Sequence, residues 1–154
     1  MPIHIMTPQE IQNNDVTNLV RTIYMNFESL SENSTLNHGE DEIYRIITSP
    51  KCQLFIYLVN KKIAGYLLGE LMNLNDGRFV FYITYIYTGK RFRNKGIASD
   101  LLKLTEQKVK HFNLDGIVLT VDTEEPTLLD WYTKKGFMPD MLLRTYGRHE
   151  VLSK

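Results

Sequence analysis

The sequence has no excess of either charge: 18 Lys and Arg stand against 18 Asp and Glu, for a formal net charge of zero. A protein that grips nucleic acid or an anionic membrane over a broad face needs a positive field, and this one lacks it. Cysteine occurs once, at Cys52, so no intramolecular disulfide can form. A buried, unreactive thiol in a reducing compartment is the expectation. No stretch approaches the ~18 apolar residues of a spanning helix, and the opening MPIHIM is too short and too uncharged for a signal peptide. A cytoplasmic address is therefore the simplest expectation. Low-complexity segments, internal repeats and flexible linkers are also missing, so the 154 residues read as a single domain, 1–154. Neither G-x-x-x-x-G-K-S/T nor G-x-G-x-x-G occurs, which disfavours P-loop nucleotide hydrolysis and dinucleotide redox chemistry.

What is present is an ordinary globular composition, 43% hydrophobic and 23% charged. The spacing predicts a first strand over Ile3 to Met6, ended by Pro8. A helix capped by Asp15 should follow, with Val16, Leu19, Val20, Ile23 and Phe27 recurring at helical spacing. SENSTLNHG (31–39) reads as a loop, and Ile43, Ile46 and Ile47 as the buried stripe of a short helix before Pro50. Three strand signals come next, over 53–59, 63–74 and 78–88. They are separated by NKK, a hairpin-sized gap, and by NDG, a strong turn signal. In the third strand, alternation puts Tyr82, Thr84 and Ile86 on one face and Phe81, Ile83, Tyr85 and Tyr87 on the other. Ile97 to Phe112 reads as a helix, 116–121 as a buried strand, Thr127 to Lys135 as a helix stopped at Gly136, and the tail as two short strands. The order β, α, α, β, β, β, α, β, α, β predicts an α/β domain with a mixed sheet.

The most informative stretch is GKRFRNKGIASDLL (89–102), which carries four positive charges in its first seven residues and then becomes helical. A helix N-terminus offers unpaired N–H groups and the positive end of the macrodipole, both favourable to phosphate. Gly96 lets the backbone approach a ligand closely, and Arg91, Arg93 and Lys95 add charge around it. With zero net charge overall, a local phosphate site is the better reading of this run than a broad polyanion surface.

Arg93-Asn94-Lys95-Gly96-Ile97-Ala98 resembles the Q/R-x-x-G-x-G/A signature of the GNAT N-acetyltransferase superfamily, and LLDWYTKKGF (128–137) resembles its Y-x-x-x-G-F helix ending. The resemblance covers residues 52 to 138. It implies the acyl-CoA N-acyltransferase fold: a mixed, mostly antiparallel sheet of six to seven strands flanked by about four helices. It also implies acetyl-CoA as cosubstrate, no metal, and direct attack of a primary amine in a ternary complex. The pyrophosphate would be held by backbone of Arg93, Asn94, Lys95, Gly96, Ile97, Ala98 and Ser99. Pantetheine would run beside Ile86, Tyr87 and Thr88, and Lys135 is a further cofactor contact.

For the chemistry, the resemblance implies Tyr132 as general acid to the thiolate, a role that suits a phenol. The base is less marked, because residues 79–88 contain no carboxylate. Tyr82 stands where some N-terminal acetyltransferases of the superfamily carry a tyrosine. Those enzymes pair it with a histidine on the next strand, and here that position is Thr120. Glu70 and His149 are further candidates. Glu125 and Leu128 replace the family's Asn and Ala before the tyrosine, and Glu125 reads as a cap for the helix begun by Pro126. An α-amine of pKa ~8 arrives partly neutral, whereas a lysine at ~10.4 costs about 4 kcal/mol to deprotonate near pH 7.4, so a peptide N-terminus is slightly favoured as acceptor. Tyr24 to Leu36 and Met138 to Gly147 should shape the acceptor pocket, with Met25, Phe27, Glu28 and Tyr146 as lining candidates. The alternatives are a coenzyme A-binding module with lost or regulatory catalysis and, less favoured, a nucleic-acid binder. Monomer and homodimer remain equally open.

Overall fold

The computed structural model describes residues 3–13, 18, 21, 40–122, 126–140 and 149–154. The elements in order are β1 (Ile3–Met6), α1 (Pro8–Asn13), α2 (Glu40–Thr48), β2 (Cys52–Val59), β3 (Lys62–Asn73), β4 (Phe79–Thr88), a 3-10 turn (Lys90–Phe92), α3 (Ile97–His111), β5 (Ile117–Asp122), α4 (Pro126–Lys134), β6 (Met138–Pro139) and β7 (His149–Ser153). The strands form one seven-stranded sheet in the order β1-β2-β3-β4-β5-β7-β6. Every neighbouring pair is antiparallel except β4 and β5, which run parallel. This is the mixed α/β architecture expected, with four α-helices among the described residues.

The turns follow from their residues. Asn60 and Lys61 both take positive φ, 49° and 65°, as the two centres of a tight β2–β3 hairpin require. In the β3–β4 turn, Gly77 supplies φ 94°, and Asp76 accepts the N–H of Arg78 at 3.1 Å. Arg78 also forms an ion pair with buried Asp140, which pins this turn to the end of β6.

Each face of the sheet carries its own apolar cluster. On one, Leu101, Leu102 and Ile97 of α3 and Tyr132 of α4 pack with Phe137 on Phe55, Leu67, Phe81, Leu119 and Val121. On the other, Ile11 of α1 and Ile43, Ile46 and Ile47 of α2 pack on Leu54, Ile56, Tyr66, Leu68 and Tyr85. Burying one such isoleucine is worth ~1.5–3 kcal/mol. Three of them seat the nine-residue α2, which at that length would be marginal in water. Between the two clusters, the run from Ala64 to Glu70 in β3 is buried residue by residue.

The structure adds one helix to the expected elements and corrects one expectation. The added helix begins at Pro8, seven residues before Asp15, because Thr7, Pro8 and Glu10 form a start signal. Thr7 Oγ1 accepts the N–H of Glu10 at 3.1 Å, and Glu10 accepts the N–H of Thr7 at 3.3 Å, a reciprocal capping box with proline in the first turn. Of the helix expected from Asp15, only Asn18 and Arg21 are described, both helical. The 31–39 loop lies outside the described residues. The correction concerns β4. Ile83 pairs with Gly69 and Tyr85 with Leu68, so Thr84 is an extra residue in a bulge. The alternation reverses there. Ile83 and Ile86 pack in the α3/α4 cluster, while Tyr85, with Tyr87 against it, packs in the α1/α2 cluster. A period-two reading of sequence cannot register an inserted residue.

Candidate active site

The parallel junction of β4 and β5 is short. Only Phe81 with Ile117 and Tyr82 with Val118 are in register, although β4 stays paired with β3 up to Thr88 and β5 with β7 up to Asp122. Past Tyr82 the sheet therefore parts, leaving a strand edge on each side without a ladder. The direction of that edge follows from one bond: Gly89 donates its N–H to the Ala64 carbonyl at 2.8 Å. Tyr87 and Tyr85 lie two and four residues earlier, opposite Tyr66 and Leu68. Alternation thus turns the backbone N–H and C=O of Ile86 and Thr88 toward the opening. On the closed side, a Cβ at Gly69 would lie 2.4 Å from the Tyr82 carbonyl and 2.7 Å from the Phe81 ring. Glycine there lets β4 draw against β3 just where its pairing to β5 ends.

At the mouth of the opening stands the basic turn. Phe92 donates its N–H to Gly89, and Arg93 reaches back from Nε to the Thr88 carbonyl at 3.3 Å. Asn94 takes φ 62° and Gly96 φ 79°, and Gly96 is the N-cap of α3. The first i to i−4 bond of that helix is donated by Asp100 to Gly96. The amides of Ile97, Ala98 and Ser99 thus have no acceptor within the helix, and no side chain among the described residues caps them. A Cβ built on Gly96 meets nothing within 4 Å, so the space before these amides is open. Arg91, Arg93 and Lys95 are exposed around it, and Lys95 Nζ sits 6.0 Å from the Phe92 ring centre. The arrangement suits a phosphate group: free amides, a helix dipole and mobile cations converge on open space.

Tyr132 comes from α4 on the same face as α3. Its ring touches Trp131 and Phe137, with centroids 5.0 and 5.4 Å away, and the residue is 4% exposed. Burial raises its phenol pKa, so the proton is held firmly. Among the described residues, its hydroxyl has no hydrogen-bond partner, and no buried side-chain polar atom goes unpaired. The Y-x-x-x-G-F spacing has a structural cause of its own. Gly136, at φ 96°, donates to the Thr133 carbonyl, Phe137 donates to the Tyr132 carbonyl, and the Phe137 and Tyr132 rings meet. That is a Schellman ending, in which glycine takes the left-handed position and the flanking apolar pair closes it. Lys135 shares its N–H between the Trp131 and Tyr132 carbonyls and holds Nζ 5.4 Å from the Trp131 ring centre.

Tyr82 lies on the opposite face, since its cross-strand partner Glu70 contacts α2. Its hydroxyl is 2.8 Å from Thr120 Oγ1. Glu70, 7% exposed, accepts from Arg45 at 3.1 Å, and Arg45 also donates to Glu42 at 2.8 Å. The Glu70 charge adds to burial in pushing the Cys52 thiol up to about 12, while burial, with Glu42, raises Tyr85.

The opening thus gathers Ile86, Thr88 and the 93–99 turn at one edge, with Tyr132 on one face of the sheet and Tyr82 on the other. Arg45 and Glu42 were missed from sequence. Their helical spacing of three gave a signal for a surface pair, but not for a contact with β3. Glu125, the acceptor-loop candidates Met25, Phe27, Glu28 and Tyr146, and the side chain of His149 lie outside what is described. Among the described residues, no group of three or more His, Cys, Asp or Glu stands together as a metal site, and no helix is long and apolar enough to cross a membrane.

Residues 18–137 match the model of the acetyltransferase (GNAT) family. Among solved structures, a GNAT-family acetyltransferase from Staphylococcus aureus is similar at 16% identity and TM-score 0.73, over 99% of this chain and 98% of that one. Naa50 of Arabidopsis thaliana, in complex with the bisubstrate analogue CoA-Ac-MVNAL, is similar at 18% identity and TM-score 0.66, over 100% and 99%. An aminoglycoside acetyltransferase from an uncultured soil metagenomic sample is similar at 20% identity and TM-score 0.66, over 94% and 96%. No curated protein sequence gives a significant match. These likenesses share the fold described above, and the family match spans most of the chain: it belongs to the GNAT acetyltransferase family.

Proposed function

We propose that the protein is an acetyl-CoA-dependent N-acetyltransferase that moves the acetyl group to a primary amine by direct attack in a ternary complex. The observation that carries this reading is the parted sheet, whose opening between β4 and β5 begins beside a phosphate-suited turn and has Tyr82 on one face of the sheet, with Tyr132 in the cluster on the other. Cofactor entering past Gly96 meets the edge of Ile86 and Thr88, which among the described residues lacks a strand partner and carries only the exposed Arg93 on the Thr88 carbonyl. An extended pantetheine chain can bond to this edge like an added strand. The thioester then lies between Tyr132 and Tyr82.

The roles follow from what each group can do. Tyr132, whose burial keeps its proton, donates to the departing sulfur. Tyr82 accepts a hydrogen bond from the amine or from a water that takes its proton. The extra residue at Thr84 frees backbone at the head of the opening, where developing negative charge on the carbonyl oxygen needs a donor. Arg93, Asn94, Lys95 and Lys135 supply charge and hydrogen bonds toward the phosphates.

An α-amine such as a peptide N-terminus is the proposed acceptor, because residues 79–88 of β4 carry no carboxylate to serve as base and an amine of lower pKa arrives more nearly neutral. Structural relatives act in both directions on this point, one carrying a CoA-peptide analogue and another being named for aminoglycosides. A cytoplasmic address, with neither nucleic acid nor membrane as partner, completes the proposal. The test is thiol release from acetyl-CoA with a panel of free-N-terminal peptides, N-blocked lysine peptides and an aminoglycoside. Turnover fastest on free N-termini is expected. Turnover confined to lysine or the aminoglycoside overturns the acceptor preference. Cofactor binding with no turnover on any amine overturns the enzyme reading in favour of a coenzyme A-binding module.

A further inference from the structure

We propose that Thr120 is a positioning residue for acetyl transfer: it accepts the hydrogen bond of the Tyr82 hydroxyl and so leaves the phenol oxygen open to the incoming amine as an acceptor. The inference rests on the N-acetyltransferase reading above and adds a residue to it.

Tyr82 is the last β4 residue in register with β5, opposite Val118. Thr120 is the next β5 residue on the same face, just past the point where the strands part. Its Oγ1 lies 2.8 Å from the Tyr82 hydroxyl, in a part-buried contact that spans the throat of the opening. Among the described residues this is the hydroxyl's one hydrogen bond; Glu70, across from Tyr82 on β3, is engaged by Arg45 instead.

Two hydroxyls so placed make one hydrogen bond between them, and its direction matters. When Tyr82 donates, its oxygen lone pairs face the cleft and can accept an amine N–H, which turns the nitrogen lone pair toward the thioester carbon. When Thr120 donates, the phenol proton points into the cleft and competes for that same nitrogen lone pair. A phenol is the stronger acid and the better donor of the two, so donation from Tyr82 to Thr120 is favoured. Threonine is suited to the position because its β-branch restricts χ1 and holds the oxygen toward β4.

The test is steady-state kinetics on the full chain with acetyl-CoA and its best amine, using Thr120→Val, Thr120→Ser, Tyr82→Phe and the Thr120→Val/Tyr82→Phe double variant. Valine keeps the shape and removes the acceptor. Thr120→Val is expected to lower kcat about tenfold while KM for acetyl-CoA stays within about twofold. Thr120→Ser, which retains the hydroxyl, should recover most of the loss. In the Tyr82→Phe background, Thr120→Val should cost nothing further, because the pair acts as a unit. Wild-type kcat in Thr120→Val, or an equal loss in both backgrounds, overturns the proposal and leaves the enzyme reading intact. Absence of wild-type transfer to any amine overturns both.

Discussion

On the α3/α4 face of the sheet, the parts aimed at the opening are backbone amides, one glycine and one phenol, set on an apolar cluster of Phe55, Phe81, Leu101, Phe137 and their neighbours. On the α1/α2 face they are side-chain hydroxyls and charges: Tyr82 with Thr120, and Glu70 with Arg45 and Glu42. The first face suits a fixed ligand, since a phosphate chain presents the same oxygens every time and backbone can be shaped to it. The second suits an acceptor that is selected and turned, which takes side chains. A chain can therefore keep one half of such a site as a local motif while the other half is distributed over α2, β3, β4 and β5.

The sharpest way to break this contrast is Gly96→Asp. Aspartate would be forced to φ near 79° and would put a carboxylate into the space before the free amides. Acetyl-CoA affinity, by calorimetry, should fall at least about 100-fold, equivalent to ~2.7 kcal/mol. Retained affinity would remove this turn as the phosphate site. Tyr132→Phe separates chemistry from binding on the same face. We expect kcat to fall about 100-fold or more, with acetyl-CoA affinity and melting temperature nearly unchanged, since the hydroxyl bonds no described residue. Unchanged turnover would show that Tyr132 serves the Schellman ending alone.

The other face should answer differently. Glu70→Gln weakens the buried end of the Arg45 pair and should cost about 1–3 kcal/mol in denaturant unfolding, while acetyl-CoA binding stays as in the wild type. A parallel loss of cofactor affinity would mean that the two faces are not separable. The smallest effect concerns Cys52. With its thiol pKa up at about 12 when folded and ~8.5 when unfolded, it should react with a disulfide reagent at pH 8 only after denaturation. The sign of its pH contribution follows: the stability it lends is fully present below pH ~8.5 and is lost as pH rises toward the folded value. Ready labelling of the native protein would place Cys52 nearer the surface than its position on β2 implies.

Most elements were legible because each carries its own local cause. The Asn60-Lys61 and Asp76-Gly77 turns, the Ile43, Ile46 and Ile47 stripe and the Gly136 stop all act within a few residues. The start of α1 was not among the expectations, because a six-residue helix is too short to show an apolar period, although Thr7, Pro8 and Glu10 carry its cap. The cofactor half of the candidate site was readable for the same reason: Arg93 to Ser99 is continuous in the chain. Tyr132 was readable through Gly136 and Phe137, whose spacing the helix ending itself requires.

The amino-acid sequence by itself determined the order of strands and helices, the glycine that opens α3 and the tyrosine that α4 carries, because turn chemistry and periodicity are short-range. Only the tertiary structure decided where β4 leaves β5, that Thr84 reverses the faces of Tyr85 and Tyr87, and that Thr120 meets Tyr82 while Arg45 takes Glu70. Those contacts join residues 25 to 38 positions apart. Their partners are set by strand register and by one inserted residue, neither of which leaves a mark on any local pattern of hydrophobic and polar residues.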